Sequence, residues 1–471
     1  MIFVNILIGL VGLGVVVFVH ELGHMLAAKA VGIQVEAFSL GWGRKLAGVT
    51  WRGTEYRISV FPIGGYCKMK GEQSYTRAIE NNEDHIPKEP GSFFSAEPWQ
   101  RILVSLAGPF ANIVLAILIL SIVWWVGFTV QTYDNRIVLA SDFAPTPIET
   151  AAPADETDAS AADQAPASRA GLQTGDVIAA IDGRDVRSYS DIQQIVAQNA
   201  LTELDLTVLR DGRARTVAIT PELVEETGAG YIGVYPWVEP VIETVVPESA
   251  AARAGFRSGD RIVSANTREI AHVWEFREAL ENAEDGAEVV VSRDDATATI
   301  RIPGGDNGAV DLAALDEGMN FRTVSMPTPD YNVFQAIGRG TAESVRILVV
   351  SVRSLRLLFQ GVDLTSAVAG PVRISYFIGD IATSGFQIGF ATGLRSLSNF
   401  LALLSVVLFF MNLLPIPVLD GGQIVLAGVE WIRRKTLHPR SVYRYQLVGS
   451  VLVFALLFFA LFGDILFLAG R

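Results

Sequence analysis

The chain has 471 residues, half of them hydrophobic and 18% charged, with a mean hydropathy of +0.36; this is too apolar for an ordinary soluble enzyme and excludes disorder along the whole length. Cys67 is the only cysteine, so no intramolecular disulfide can form. The net charge of -13 argues against a nucleic-acid partner, and it divides into +1 over residues 1–127, -18 over 128–385 and +4 over 386–471, the partition expected of near-neutral membrane ends around a large acidic water-facing insert.

Residues 2–19 are apolar apart from Asn5, carry no Lys or Arg, and lead directly into His20-Glu21-Leu22-Gly23-His24. With neither a basic start nor a small-residue cleavage site, the run reads as a retained span (residues 1–30) and not as a secretory signal. Two histidines four apart share one helix face within reach of one metal ion, with Glu21 beside them; this is the His-Glu-x-x-His zinc arrangement. Such a centre brings the pKa of bound water towards neutrality, and a neighbouring carboxylate takes the proton and passes it to a leaving amine, the general-base role open to Glu21. Polar groups that continue a membrane span are functional by default; the alternative is an interfacial polar cluster at a helix end. A catalytic zinc needs a third protein ligand, and His85, His272 and His438 lie in polar stretches that read as solvated.

Residues 31–100 read as a cytoplasmic, membrane-associated β-hairpin region. Short strands are expected at 35–39, 49–52 and 55–60, turning at Gly53-Thr54, with bends at Gly41, Gly43, Gly64 and Gly65. A helical substrate hides its carbonyls in intrahelical hydrogen bonds, so it must be held extended before attack, and a strand edge here can clamp it by main-chain pairing. Gly41 and Gly43 are the candidate substrate-binding positions; the alternative is a plain cytoplasmic hairpin.

Further apolar runs at 102–126, 397–414 and 447–468 make four spans in all. Ten Lys/Arg in residues 29–101, and Arg433, Arg434, Lys435, Arg440 and Arg444 in 433–444, mark the cytoplasmic side. The termini and the 128–385 insert then face outward, which in a bacterium is the periplasmic side of the inner membrane.

The insert repeats itself at an offset of 84. Gly171-Leu172-Gln173-Thr174-Gly175-Asp176-Val177-Ile178 aligns with Gly255-Phe256-Arg257-Ser258-Gly259-Asp260-Arg261-Ile262, each followed by a helical and a strand pattern. The two α+β modules (128–224 and 225–306) resemble PDZ domains of the bacterial, circularly permuted kind, which implies a groove for an added peptide strand; the alternative is a purely steric role. Residues 144–168, rich in Ala, Pro, Asp, Glu, Thr and Ser, read as a mobile insert. Residues 307–385 read as a linker carrying an amphipathic helix at 341–359, lying at the membrane interface or packed on the modules.

The third span and the turn after it (386–422) contain Asn412-Leu413-Leu414-Pro415-Ile416-Pro417-Val418-Leu419-Asp420-Gly421-Gly422. Two prolines break the helix at membrane depth, tolerated only where protein or a water-filled cavity satisfies the freed groups. Asp420, on a glycine-flanked turn, is the natural third ligand. Asn412 can bond a substrate backbone or oxyanion, or cap carbonyls freed by Pro415, whereas Asn112 is read as having the second, helix-capping kind of role, since Gly108-Pro109 starts a helix and permits close packing. Residues 423–471 hold a cytoplasmic segment and the fourth span.

Together these motifs, with Ala107-Gly108-Pro109-Phe110-Ala111-Asn112 and Ala369-Gly370-Pro371-Val372, resemble the site-2 protease family of intramembrane zinc metalloproteases, and within it the bacterial regulator-of-sigma-E proteases with tandem periplasmic PDZ domains. The resemblance covers essentially the whole chain. It implies Zn2+ on His20, His24 and Asp420 with Glu21 as base, and cleavage of single-pass membrane proteins such as an anti-sigma factor, or of remnant signal peptides, after an upstream site-1 type protease has trimmed them. Gln423 stands where relatives have His, and Val407 lies near where many have Asn, which weakens any two-asparagine substrate clamp. A non-catalytic scaffold would lack a ligand or the base, and none is missing; a transporter would show duplicated helical repeats, and the repeat lies outside the spans.

Overall fold

The structure, a computed structural model, describes residues 2–143, 165–224, 228–283, 285–294, 296–304, 309–357 and 370–469. It consists of two units, Met1–Phe128 with Pro329–Arg471, and Thr129–Thr328.

The first unit is built on α1 (Ile2–Ala30), α2 (Pro98–Val126), α3 (Val333–Leu357), α4 (Pro371–Ile388), α5 (Phe390–Asn412), α6 (Asp420–Arg433) and α7 (Pro439–Ala469). Segments of α1, α2, α5 and α7 are long and apolar enough to cross a membrane, in agreement with the four expected spans. Where the backbones cross, the side chains are absent or small: a Cβ on Gly9 of α1 would overlap the Ser375 carbonyl of α4, and one on Gly379 of α4 would overlap the backbone of Asn5. Polar groups at these crossings are paired internally, as an apolar surround requires. Thr383 Oγ1 donates to Asn5 Oδ1 at 2.7 Å, and the buried Asp464 carboxylate of α7 accepts from the Gly370 and Val372 amides at 2.9 and 3.0 Å, capping α4 from another helix.

The structure corrects two expectations about the segment 307–385, which is not a linker with one helix. Its first part belongs to the other unit, and α4 comes after as a helix of its own, whose Ser375, Gly379, Asp380 and Thr383 interrupt its apolar pattern. The helix anticipated at 341–359 begins earlier, at Val333, and packs against other helices of the first unit. Gly340 fits against Ser121 and Ile117 of α2, while Ile347 and Leu348 complete a core of Ala116, Leu120, Ala402 and Val406 from α2 and α5. Arg346 pairs with Glu343 one turn back.

Between α1 and α2 lies a hairpin of β1 (Val35–Trp51) and β2 (Thr54–Met69). Arg52 and Gly53 both have positive φ (49° and 78°), the signature of a tight two-residue hairpin turn. Each strand bends back on itself, so residues 37–40 pair with 65–68 on one side and 55–58 on the other, and 47–50 pair with 55–58 in turn. Gly41, Gly43 and Gly64, at φ 86°, 92° and 84°, make the bends. The base of the hairpin packs on Met25 and Ala28 of α1 and Val104 of α2 through Ile33, Val35 and Phe38.

The second unit carries two four-stranded sheets with the same strand order, Arg184–Asp185, Val177–Ile181, Leu204–Arg210, Arg213–Ile219 in one and Arg268–Glu269, Arg261–Ala265, Ala287–Arg293, Ala296–Ile302 in the other. Helices Tyr189–Gln198 and Val273–Glu281 accompany them. The repeated Gly-Asp has a structural cause. Asp176 and Asp260 are fully buried, and each accepts two hydrogen bonds from an arginine, Arg210 or Arg293, at 2.6–2.7 Å, plus an amide three residues back at 2.9 Å. The second module runs past 306: Met319–Phe321 pairs with Ile242–Val245, and Val324–Pro327 pairs with Thr129–Thr132. Most of the expected mobile insert, 144–164, lies outside the described residues, but Pro166–Arg169 is helical with Ala167 fully buried, so the insert ends earlier than 168.

His272 is likewise not solvated. It occupies the helix-capping position equivalent to Ser188, accepts from the Glu275 amide, and is enclosed by Trp237 and Phe143 at ring-centroid distances of 4.5 and 5.5 Å. Burial pushes its pKa below the ordinary value near 6.5, with Glu275 and Asp142 opposing and Arg136 and Arg268 adding to the shift. The unfolded chain therefore takes up this proton first, and stability falls as pH drops below about 6.5. Fluorescence-monitored unfolding of the full-length protein is expected to show this loss, and His272→Gln to flatten it over that range.

Candidate metal centre and active site

His20, Glu21 and His24 occupy the last third of α1, and Asp420 is the first residue of α6. The structure brings the three expected ligands together, 413–419 carrying the chain back from α5. His20 Nε2 and His24 Nε2 are 3.1 Å apart, Asp420 Oδ2 is 3.2 Å from the first, and Asp420 Oδ1 is 3.3 Å from the second. Metal–ligand bonds of about 2.0–2.1 Å in a tetrahedral site place neighbouring donor atoms about 3.3–3.4 Å apart. The donor set thus fits a zinc ion in both spacing and chemistry, and it is the one such cluster among the described residues.

The second ring nitrogens agree with this. His24 Nδ1 donates to the Val104 carbonyl at 2.8 Å, which leaves Nε2 free of a proton and available to a metal. Pro109 withholds an N–H from that turn of α2. His20 Nδ1 lies 3.3 Å from the carboxamide of Asn112, which is fully buried and whose oxygen otherwise has no partner. The atom nearest the ring is Asn112 Nδ2; a metal on Nε2 leaves the proton on Nδ1, and turning the carboxamide over would give that proton the Asn112 oxygen as acceptor, with Nδ2 in the position that has no partner. Asn112 is therefore more than a helix-capping residue; sequence reasoning assigned it to the helix because its partner is 92 positions away.

Close backbone approach makes room for these rings. A Cβ on Gly108 would overlap His24 Nε2, and one on Gly23 would overlap the Ala107 carbonyl. Asp420 is held from the other side. It stands in the first turn of α6, not on the free glycine-flanked turn that was expected, because Gly421 and Gly422 admit the carbonyls of residues 413, 414 and 416 against that turn, while Gly449 of α7 admits Pro417. Val418 has φ +85°, a conformation costing a β-branched residue about 1–3 kcal/mol. It persists because this packing over-determines the turn.

Glu21 lies beside the ligands, with its carboxylate near the backbone of Cys67 in β2. A Cβ on Gly65 would come 3.5 Å from Glu21 Cγ and 2.8 Å from the Ser39 carbonyl. Burial and the Glu21 carboxylate push the Cys67 thiol up to about 12, and its sulfur is not among the clustered donor atoms. Asn412 ends α5 half-buried and, among the described residues, makes no side-chain bond to the cluster or to a freed carbonyl. Gly41 and Gly43 sit at bends of β1. Replacing Asn112 by Leu, similar in size but unable to accept, is expected to weaken zinc binding about 10–100-fold in a chelator competition.

The model of peptidase family M50 matches residues 8–456. A protein of Treponema pallidum (strain Nichols) named "Putative zinc metalloprotease" is 38% identical over 468 residues, covering 99% of both chains. The regulator of sigma-E protease RseP of Escherichia coli (strain K12) is 28% identical, and the regulator of sigma E protease of Haemophilus influenzae is 27% identical, each match covering 97% of both chains. Apolar helices of spanning length, a zinc-shaped donor set with a carboxylate beside it, and similarity along the whole length lead to one conclusion: the chain belongs to peptidase family M50, the site-2 protease family of zinc metalloproteases.

Proposed function

We propose that the protein is an intramembrane endopeptidase of the bacterial inner membrane, with His20, His24 and Asp420 as zinc ligands and Glu21 as general base. The observation that carries this reading is the placement of Glu21 on α1 between His20 and His24, beside a donor set of zinc dimensions and with its side chain next to Gly65 of β2. Zinc bound there would supply Lewis-acid polarisation of the scissile carbonyl and acidify water. Glu21 takes the proton from the attacking water and passes it to the leaving amine. An extended substrate pairs with the hairpin sheet, whose outer strands are residues 65–69 and 47–51, with Gly41 and Gly43 shaping the bend; Asn412 contributes an amide to the substrate backbone.

The relatives point to the substrate class. Two are named as regulators of sigma E, which supports an anti-sigma factor with a single span as the regulatory substrate, and remnant signal peptides as another. The Thr129–Thr328 unit is read as two PDZ-like modules in the periplasm, able to take a peptide strand. They exclude bulky domains until an upstream site-1 type protease has trimmed the substrate. Internal duplication with shared strand order supports that reading.

Cleavage of a trimmed single-pass reporter in membranes tests the chemistry. Glu21→Gln should lose at least about a hundredfold in rate while zinc stays bound; equal rates in both proteins would assign the cut to another enzyme and the chain to a scaffold. The gating role has its own test. Because Thr129–Thr132 and Val324–Pro327 are paired, the unit is removed cleanly by replacing 129–328 with a short linker, and the shortened protein should cleave untrimmed reporter. Continued dependence on trimming would remove the modules from the gate.

A further inference from the structure

Arg101 and Glu430 form an ion pair with side chains only 11% and 9% exposed, joining the first turn of α2 to the C-terminal half of α6. The second carboxylate oxygen of Glu430 accepts from the Leu437 amide at 2.8 Å, which also ties the chain leaving α6. A desolvated pair of this kind adds little net stability against an apolar replacement, but removing one partner is costly because it leaves the other charge buried, so the pair holds together the two helices it joins. One of those elements is the helix whose first residue is Asp420.

Arg101 stands on the same stripe of α2 as Val104, Gly108 and Asn112, at spacings of three, four and four residues. Val104 and Gly108 set the ring of His24, and Asn112 sets the ring of His20. Glu430 lies ten residues from Asp420, about 15 Å along the α6 axis, so a hold on Glu430 limits the rotation and slide of α6 that would carry the Asp420 carboxylate away from the imidazoles. The clamped turn before Asp420 fixes one end of α6, and the pair fixes the other.

We infer that Arg101 and Glu430 are positioning residues for the metal centre, giving α2 control of Asp420 as well as of both histidines. The inference rests on the ligand assignment proposed above. Its test is zinc affinity of the full-length protein in detergent, measured by competition with a chromogenic chelator, with thermal unfolding followed in parallel. Arg101→Gln leaves the Glu430 charge buried and unpaired, and should weaken zinc binding about 10–100-fold. Exchanging the partners, Arg101→Glu with Glu430→Arg, restores the ion pair but not the Leu437 bond, and should recover part of that loss. If Arg101→Gln does not fold, Glu430→Gln, whose single amide oxygen can still accept from one of the two donors, should fold and weaken zinc several-fold. A lowered unfolding midpoint with unchanged zinc affinity, or an exchange that recovers nothing, would overturn the inference and leave the pair as a fastening. His20→Ala serves as the separate control, because retention of full zinc affinity there would refute the ligand assignment itself.

Discussion

An imidazole that gives one nitrogen to a metal must find an acceptor for the proton on the other, and in an apolar helical bundle water cannot be that acceptor. This requirement organises the first unit. One proton goes to a main-chain carbonyl that the helix still shares with its own ladder, and the other to a carboxamide with no exposed surface. Both acceptors belong to α2, so the packing of α1 on α2 and the tautomers of the two histidines are a single geometric fact. The small residues at this crossing serve the same end, since the rings reach their acceptors only if the two backbones nearly touch.

The proposed third ligand is delivered differently. The histidines come from the interior of a regular helix, whereas Asp420 depends on a turn that holds a valine in an unfavourable conformation between glycines of two helices. A strained turn costs stability, but it has a single well-defined shape. The imidazoles and the carboxylate are thus held by contrasting means: local regularity on one side, and packing from distant segments on the other.

How much of this could be read beforehand depends on how local each cause is. Spans announce themselves as uninterrupted apolar runs, and His20, Glu21 and His24 lie within one turn or so, so both were legible. Asp420 was legible because Pro415 and Pro417 break a helix just before it. The doubled register of the hairpin was not, since residues 37–40 look the same in sequence whether they have one neighbouring strand or two. Asn112 and His272 were misread for a shared reason: their surroundings are assembled from remote segments, α1 for the one and Trp237 with Phe143 for the other. The helix α4 escaped because its polar residues, which meet Asn5 and the backbone of α1, look from the sequence like solvent-facing ones.

The ladder between Thr129–Thr132 and Val324–Pro327 has a consequence for how such a chain can change over time. Its two strands lie about 5 Å apart, and nearly two hundred residues hang beyond them. At the level of connectivity the helices experience that whole unit as a loop with a closed mouth, whose width does not depend on its contents. A module can be duplicated, as the offset of 84 records, or remodelled or lost, without moving the ends of α2 and α3. The helical unit and the Thr129–Thr328 unit are therefore free to diversify at different rates within one polypeptide.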